Sequence, residues 1–439
     1  MIAAHRVEKR RLINRQKAAA QALAVVKSWA EISLDTMDAP VRRVVTEEGK
    51  ELARLCRTGR LYDIEKWIVA GKSLDLPVDR HKSLLRIAVE TGFHSLIDLI
   101  AKHETNQDTK NSALWDAISL KRLDLAEVLI ENGAQVTGVP FSEVLLTWDP
   151  KIMHFFLERG ADPITDRPFA VAFGAKVRTA IRTFLDCKRM HPEHAEALQE
   201  QANIALRHFC SKGDMKWISL MLWLKADPRS MGPSLEKDYT YEPECYTSAF
   251  EQAAYAGNVE VLKKLRPEAG RDNLEALLHS AAVSGRREAI HYLLEIGAKP
   301  NDRPNGGSSA LESCLWRLSW GRFNGYGEKK LASKYDASDA LECIAELLAH
   351  GAVWNPSEPH NVTSLRRTLC ECEPSVTVAL LHLFRKYNAC PAERVHELLG
   401  TPRIREHLSP EGSNIARLGI RFAVESPGGR LRTGSWRAS

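Results

Sequence analysis

Residues that could bind a metal are present, but their spacing is poor for that purpose. Cys370, Cys372, Cys390 and His382 carry the thiolate and imidazole groups that zinc prefers. Structural zinc sites usually separate paired cysteines by two to four residues, and neither thiol pair here has a two-residue gap. In the stretch 191–194 (HPEH) a proline interrupts any helix, and no third or fourth ligand is evident nearby. The sequence therefore predicts no metal site.

Signatures of catalysis are also missing from the sequence. Covalent catalysis needs a nucleophile held beside a base, and no nucleophile elbow, phosphate-binding loop or kinase motif set is recognisable. The stretch 325–327 (GYG) lacks the third glycine and the preceding strand of a phosphate-binding turn. We therefore predict no catalytic residues, no cofactor and no small-molecule substrate.

Aromatic residues in two insertions are the stronger candidates for function, because Trp, Tyr and Arg dominate binding energy when an interface desolvates them. One insertion places tyrosines between acidic residues, and the other places aromatic rings and arginine among glycines. The predicted partner-binding residues are Tyr239, Tyr241, Trp320, Arg322, Phe323 and Tyr326. The alternative is that these side chains fold back and fill gaps in an irregular core.

A two-helix motif recurs along the chain, and these repeats must position the candidate residues. It consists of an apolar helix, a turn and a second helix that ends before Gly-Ala, with clear copies at 112–136, 273–302 and 340–355. The bulky residue that closes the second helix recurs in steps of 27 to 32 residues at first and of 29 to 54 residues later, at Ile68, Ile100, Ile130, Leu157, Leu185, Leu224, Leu265, Leu294, Leu348 and Phe384. Such units cannot bury their own apolar faces, so they must stack.

Four tryptophans fall at helical positions inside these repeats. We predict that all of them belong to the core: Trp67, Trp115, Trp217 and Trp223.

The stacking predicts an all-α solenoid of about ten irregular helix-turn-helix repeats, preceded by an N-terminal helix. Residues 1–44 are predicted to form a basic helix that caps the array, residues 45–409 the solenoid, and residues 410–439 a disordered basic tail. The solenoid carries insertions at 188–196, 228–244 and 317–337. Insertions in repeat arrays often emerge on the binding face.

Composition and charge also bear on whether the protein binds nucleic acid or a membrane, and on its cellular compartment. The net charge of +5 is concentrated at the two ends of the chain, whereas a nucleic-acid binder more often carries its basic excess across one face of its fold. No apolar run is long enough to cross a bilayer, so we predict no membrane partner. Nine cysteines, an odd number, together with an N-terminus without a signal-like apolar core predict free thiols and a cytoplasmic protein.

These repeats resemble the ankyrin family. The resemblance rests on two sets of motifs: the turns between helices at 256–262 (AGNVEVL) and 284–290 (SGRREAI), and the pairs Gly133-Ala134, Gly160-Ala161, Gly297-Ala298 and Gly351-Ala352 that close second helices. The family's Thr-Pro-Leu-His opening never occurs intact, and Ser83-Leu84-Leu85 or Ser112-Ala113-Leu114 stands in its place. Tetratricopeptide or HEAT-like stacking is the alternative fold.

The resemblance implies recognition of another macromolecule through the concave helices and finger loops, without chemistry. We therefore predict a scaffold or adaptor for protein–protein interaction, with another protein as the partner. The alternative is a regulatory or defence/effector ankyrin protein that acts in a complex on nucleic acid.

Overall fold

The computed structural model describes residues 47–74, 83–235, 246–320, 337–355 and 359–408. Within these ranges the chain forms α-helices and three single-turn 3-10 helices, and the only extended pairing is two isolated bridges. The predicted all-α repeat fold is confirmed. The predicted N-terminal helix and basic tail lie outside the described residues.

The first compact unit ends at Val139 and contains three helical hairpins. Its helices are α1 (Glu47–Arg57), α2 (Leu61–Val69), α3 (Leu84–Thr91), α4 (His94–His103), α5 (Gln107–Ser119) and α6 (Leu123–Glu131). The first helix of each hairpin packs on the first helix of the next, so α3 contacts α1 and α5. The second helices do the same, since α4 contacts α2 and α6. We call these two sets the first-helix layer and the second-helix layer.

The second compact unit begins at Pro140 and contains eight described hairpins. Its helices are α7 (Phe141–Leu146), α8 (Pro150–Glu158), α9 (Pro168–Gly174), α10 (Thr179–Met190), α11 (Ala195–Lys212), α12 (Met215–Trp223), α13 (Ala249–Ala256), α14 (Val259–Leu265), α15 (Leu274–Ser284), α16 (Arg287–Glu295), α17 (Ala310–Trp320), α18 (Ala337–Ala349), α19 (Pro359–Glu371), α20 (Pro374–Lys386), α21 (Ala392–Leu399) and α22 (Pro402–Leu408). The first helices from α7 to α19 pack in sequence. In the second-helix layer α16 contacts both α14 and α18.

The Gly-Ala pairs end the second helices by a shared mechanism. At Gly133 the backbone is left-handed (φ 91°), which glycine adopts without the steric penalty of a side chain. The Gly133 N–H donates to the Ile130 carbonyl and the Ala134 N–H donates to the Leu129 carbonyl, each at 2.9 Å, which is a Schellman motif. The alanine that follows is buried in each of the four pairs. The pair therefore closes one helix and begins the packing of the next hairpin.

Side chains at the turns of one hairpin donate hydrogen bonds to the backbone of the preceding hairpin. Asn258 donates to the Cys210 carbonyl at 2.7 Å, and Arg286 donates to the Tyr255 carbonyl at 3.3 Å. Arg317 donates to the Val283 carbonyl at 3.0 Å. Each acceptor lies near the C-terminal end of the preceding first helix, where carbonyls lack helical partners. These bonds tie successive hairpins of the first-helix layer together.

The helix that contains Ser112 begins earlier than its motif suggests. The side chain of Asn106 accepts hydrogen bonds from the Asp108 N–H at 2.9 Å and the Thr109 N–H at 3.3 Å, so α5 begins at Gln107. Ser112 lies inside the helix. The stretch 112–114 is therefore not the start of a helix, because Asn106 provides the N-cap.

The prediction that all four tryptophans are core is right only for Trp217, which is buried and stacks on Phe209 with ring centroids 5.2 Å apart. Trp115 is 41% exposed and Trp223 is 62% exposed. Trp67 is half-buried, and its indole N–H donates to the Ser73 carbonyl at 3.0 Å. A turn of 100° per residue moves a helical side chain from the core to the surface within one or two positions.

Candidate interaction surfaces

Most of the predicted partner-binding residues lie outside the described residues. Tyr239 and Tyr241 belong to the undescribed stretch 236–245, and Arg322, Phe323 and Tyr326 belong to the stretch 321–336. Trp320 is the last residue of α17, so residues 317–320 of that insertion are helical. The binding role of all six residues stays a prediction.

A buried arginine holds the base of the insertion at 228–244. The Arg207 side chain in α11 is 1% exposed, and it forms an ion pair with Glu200, which lies about two turns earlier on the same face of the helix. Its guanidinium also donates to the Pro233 carbonyl at 3.2 Å and to the Ser230 carbonyl at 3.1 Å. Burying a charged group is costly unless it is paired and hydrogen-bonded, and here it is both. Arg207 therefore fixes residues 230–233 against α11.

Two further contacts close the insertion. Gly232 and Thr247 exchange backbone hydrogen bonds at 3.1 and 3.0 Å, which forms an isolated antiparallel bridge across the stretch 236–245. Arg229 forms a bidentate pair with Asp272, with N–O distances of 2.7 and 2.9 Å. Because Asp272 precedes α15, this pair joins the insertion to the hairpin after next. The two ends of the segment that carries Tyr239 and Tyr241 are therefore held together.

Exposed aromatic side chains lie on the first-helix layer of the second unit. Tyr255 in α13 is 55% exposed, and Trp316 in α17 is 42% exposed. Helix α15 packs against both of these helices. Helix α11, which anchors the insertion, packs against α13. The insertion base and the two rings therefore belong to four consecutive first helices, which we call the aromatic surface.

The second-helix layer of the same unit has a shallow cleft of about 590 Å³ between α10 and α12. It is lined by Arg178, Ile181, Lys216, Ser219 and Leu220. The lining is mainly apolar with a cationic margin, which suits a surface contact better than the enclosure of a small molecule.

A compact group of ionisable side chains connects α16 and α18 on this layer. His291, Glu346 and His350 each bring a possible ligand atom to within 4.8 Å of the others. Glu346 Oε1 lies 2.9 Å from Nδ1 of His291 and 3.6 Å from Nδ1 of His350. The remaining oxygen, Oε2, lies 3.5 Å from Nε of Arg287. We call His291, Glu346 and His350 the His-Glu cluster.

His291 and Glu346 attract each other, and this attraction contributes to the shift of both pKa values. A hydrogen bond with Glu346, supported by the charges of Glu295 and Glu346, raises the pKa of His291. Burial alone would raise the pKa of Glu346, but His291, His350 and Arg287 outweigh it and lower that pKa. The carboxylate is therefore ionised at neutral pH.

The sequence prediction missed this cluster because its two halves are 55 residues apart. The available signal was a histidine and a glutamate four residues apart on two second helices, His291 with Glu295 and Glu346 with His350. Residues at i and i+4 share a helix face. The insertion between α17 and α18 lengthens the interval between the second helices α16 and α18, so the repeat spacing does not reveal that they are neighbours.

The cysteine and histidine groups weighed from sequence do not come together in this way. Among the described residues the only group with metal-ligand geometry is the His-Glu cluster. Cys372 and Cys390 are buried, and the Cys372 thiol donates to the Leu318 carbonyl at 3.3 Å. In the stretch 188–196, α10 ends at Met190 and a 3-10 turn covers Pro192–His194. There Glu193 lies 3.0 Å from His191 Nδ1 and 4.0 Å from His194 Nε2.

Buried thiols should resist modification in the folded protein. The eight cysteines among the described residues form no disulfide with one another. Burial raises the pKa of Cys56 and Cys210 to about 12 and that of Cys187 to about 11. Because the thiolate is the nucleophile, a pKa near 12 reduces its population at pH 8 roughly a thousandfold relative to an ordinary thiol. We expect iodoacetamide to label these three residues at pH 8 only after denaturation.

Peptide mapping by mass spectrometry measures this labelling at each cysteine. The same chain in urea is the reference for full reactivity. Labelling of Cys210 in the native protein at a rate close to the urea rate would contradict the expectation.

Comparisons with known proteins give the fold little further definition. No family model matches the chain, and no curated protein matches it either. One matching solved structure is the crystal structure of the human ASB11 ankyrin repeat domain, which is 18% identical, with 69% of this chain and 97% of that chain covered and a TM-score of 0.24. Among the described residues, no helix has both the length and the apolar character that crossing a bilayer requires.

Proposed function

We propose that this chain is a repeat scaffold that binds a protein partner through the aromatic surface and catalyses no reaction. The observation that carries the proposal is the exposure of Tyr255 and Trp316 on a continuous layer of packed first helices. Large rings half-exposed on a rigid surface bury much area on association while losing little conformational entropy. We also propose that this protein is cytoplasmic, because it has an odd number of cysteines, nine, spread through helical segments.

The insertions extend the proposed surface. Arg207 and the Gly232–Thr247 bridge fix the ends of the segment with Tyr239 and Tyr241 beside α11. A fixed base lowers the entropy that a loop loses when it binds. We propose that these tyrosines, together with Trp320, Arg322, Phe323 and Tyr326, contact the same partner.

The test begins with affinity capture from a native lysate and continues with affinity measurement on the purified partner. Hot-spot residues cost about 2 kcal/mol or more on truncation, which corresponds to roughly 30-fold in Kd. We expect the double substitution Tyr255→Ala and Trp316→Ala to weaken binding at least about 30-fold. Thermal unfolding should change little, because both side chains are substantially exposed.

Trp223→Ala is the matched control, since Trp223 is 62% exposed but lies on the second-helix layer. It should leave the affinity unchanged. If Trp223→Ala abolishes binding and the double variant does not, the aromatic surface is the wrong surface. A second variant with Arg322, Phe323 and Tyr326 replaced by alanine tests the insertion, and equal losses of binding and stability would assign these residues to the core.

Salt dependence separates a protein partner from nucleic acid. Binding through phosphates weakens steeply as salt rises, because condensed counterions are released. Binding through aromatic anchors should change little between 50 and 200 mM salt, the range over which phosphate contacts lose about 10³-fold or more. A steep loss would favour the nucleic-acid alternative.

A further inference from the structure

We propose that the His-Glu cluster binds one zinc-type divalent ion between α16 and α18, with His291, Glu346 and His350 as its protein ligands. Two imidazoles and a carboxylate form a donor set that suits zinc and other late first-row metals, whereas calcium and magnesium prefer oxygen ligands alone. The site is independent of the proposed partner-binding surface, because it lies on the second-helix layer.

The geometry converges on one oxygen. Glu346 Oε1 is approached by Nδ1 of His291 at 2.9 Å and by Nδ1 of His350 at 3.6 Å. Zinc bonds to nitrogen and oxygen measure about 2.0–2.2 Å, so ligand atoms in a tetrahedral site lie about 3.3–3.5 Å apart. The observed separations bracket this spacing. Rotation of exposed or half-buried side chains would create the site, and His350 would give up the hydrogen bond between its Nδ1 and the Glu346 carbonyl oxygen, which lie 2.9 Å apart.

Neighbouring groups are arranged to support such an ion. Glu295 Oε1 lies 3.3 Å from Nε2 of His291, so a carboxylate holds the far side of that ring. Carboxylates in this position orient histidine ligands of zinc and increase their basicity. Arg287 is engaged with Oε2 of Glu346 at 3.5 Å and with Glu342 at 3.0 Å, which leaves Oε1 to the histidines.

The local charge also favours a cation. Glu346 within the cluster, Glu295 beside His291 and Glu342 beside Arg287 contribute three carboxylates, against the guanidinium of Arg287 and the ammonium of Lys263, which lines the same cleft. The Glu346 side chain is 15% exposed, whereas His291 is 50% exposed and His350 is 35% exposed. The carboxylate is therefore shielded from water while the imidazoles leave a path for an ion to enter.

Such an ion would join two hairpins across the insertion at 317–337. Asn301 already connects them, since its amide donates to the Gly351 carbonyl at 2.9 Å and its side-chain oxygen accepts from the Val353 N–H at 2.8 Å. A metal bridge would reinforce the ion pairs of Arg287 with Glu342 and Glu346, which already join α16 to α18 in the second-helix layer.

The test uses the full chain after treatment with a chelator, with zinc and cobalt ions as the probes. Competition against a chromogenic chelator gives the affinity and stoichiometry of zinc, and the visible spectrum of bound cobalt reports the ligand types. We expect one ion per chain and a cobalt spectrum without thiolate charge-transfer absorption. Zinc should raise Tm, because an ion that binds only the folded state stabilises it.

Substitutions locate the ion. We expect His291→Ala, His350→Ala and Glu346→Gln each to weaken zinc binding at least about tenfold, and Glu295→Gln to weaken it about tenfold through loss of ring orientation. The double variant His191→Ala/His194→Ala is the matched control. Glu193 lies near both of these rings, but the three side chains do not bring their possible ligand atoms as close together as the His-Glu cluster does. This control should keep full affinity.

Several outcomes would overturn the proposal. They are no zinc binding at micromolar concentrations, unchanged affinity in the His291→Ala/His350→Ala double variant, loss of binding in the control, or a thiolate signature in the cobalt spectrum. Circular dichroism establishes that each variant is folded. If the double variant fails to fold, Glu346→Gln decides, because it keeps the shape of the side chain and removes its charge.

Discussion

Replacing Arg207 by alanine is expected to lower the free energy of unfolding by about 3–5 kcal/mol. The guanidinium is 1% exposed and makes an ion pair and two carbonyl hydrogen bonds. Its removal leaves Glu200 without its ion-pair partner and leaves the Pro233 and Ser230 carbonyls without these donors. Because the Glu200 side chain is 37% exposed, water relieves part of its charge, and we expect the lower end of the range. Urea denaturation followed by tryptophan fluorescence measures the change.

Arg182→Ala is the control for this substitution. Arg182 also faces an acidic residue, Asp186 at 3.9 Å, but its side chain is 87% exposed. Surface ion pairs of this kind contribute about 0–1 kcal/mol. A loss of less than about 1 kcal/mol for Arg207→Ala would mean that the insertion base is held by other contacts.

Phe184→Ala should be comparably damaging, with a loss of about 3–5 kcal/mol. Phe184 in α10 is fully buried, and its ring centroid lies 5.3 Å from that of Phe169 and 5.4 Å from that of Phe173. Phe141 joins the same group through Phe169, at 5.8 Å. The substitution removes the ring that connects α10 to α9, and the close packing of the interior prevents full collapse of the cavity.

The adjacent residue supplies the control. Leu185 lies on the same helix and is 40% exposed, so Leu185→Ala should cost at most about 1 kcal/mol. Equal effects of the two substitutions in urea denaturation would show that the aromatic group is not the core of these hairpins.

Phe184 and Leu185 also show how much of the fold could be predicted from the sequence. The repeat interval predicted the hairpins well: about ten units were expected, and eleven hairpins lie within the described residues. The rotation of each second helix about its own axis was harder to predict. The interval is marked by Leu185, Leu157 and Ile130, but the buried residues are the preceding ones, Phe184, Phe156 and Leu129. Which of two adjacent apolar residues is buried depends on how neighbouring hairpins are rotated, and one sequence does not contain that information.

The candidate sites were predictable to different degrees. The motif search could not find the His-Glu cluster, because only the packing of α16 on α18 brings its halves together. The anchoring role of Arg207 had no sequence signature, since an arginine in a helix is usually solvated. The predicted burial of Trp115 and Trp223 was wrong for the same reason, because the rotation of a helix about its axis decides which side chains face the core.

The Gly232–Thr247 bridge has a consequence for how this protein can diversify. Its partners are fifteen positions apart, and the bridge already brings the two ends of the intervening segment together. For a loop with joined ends, each doubling of length costs only about 0.6 kcal/mol in closure entropy. Mutation, insertion or deletion between residues 236 and 245 should therefore change the stability of the helical repeats little. A lineage could acquire new binding specificity there while the helices beneath remain unchanged.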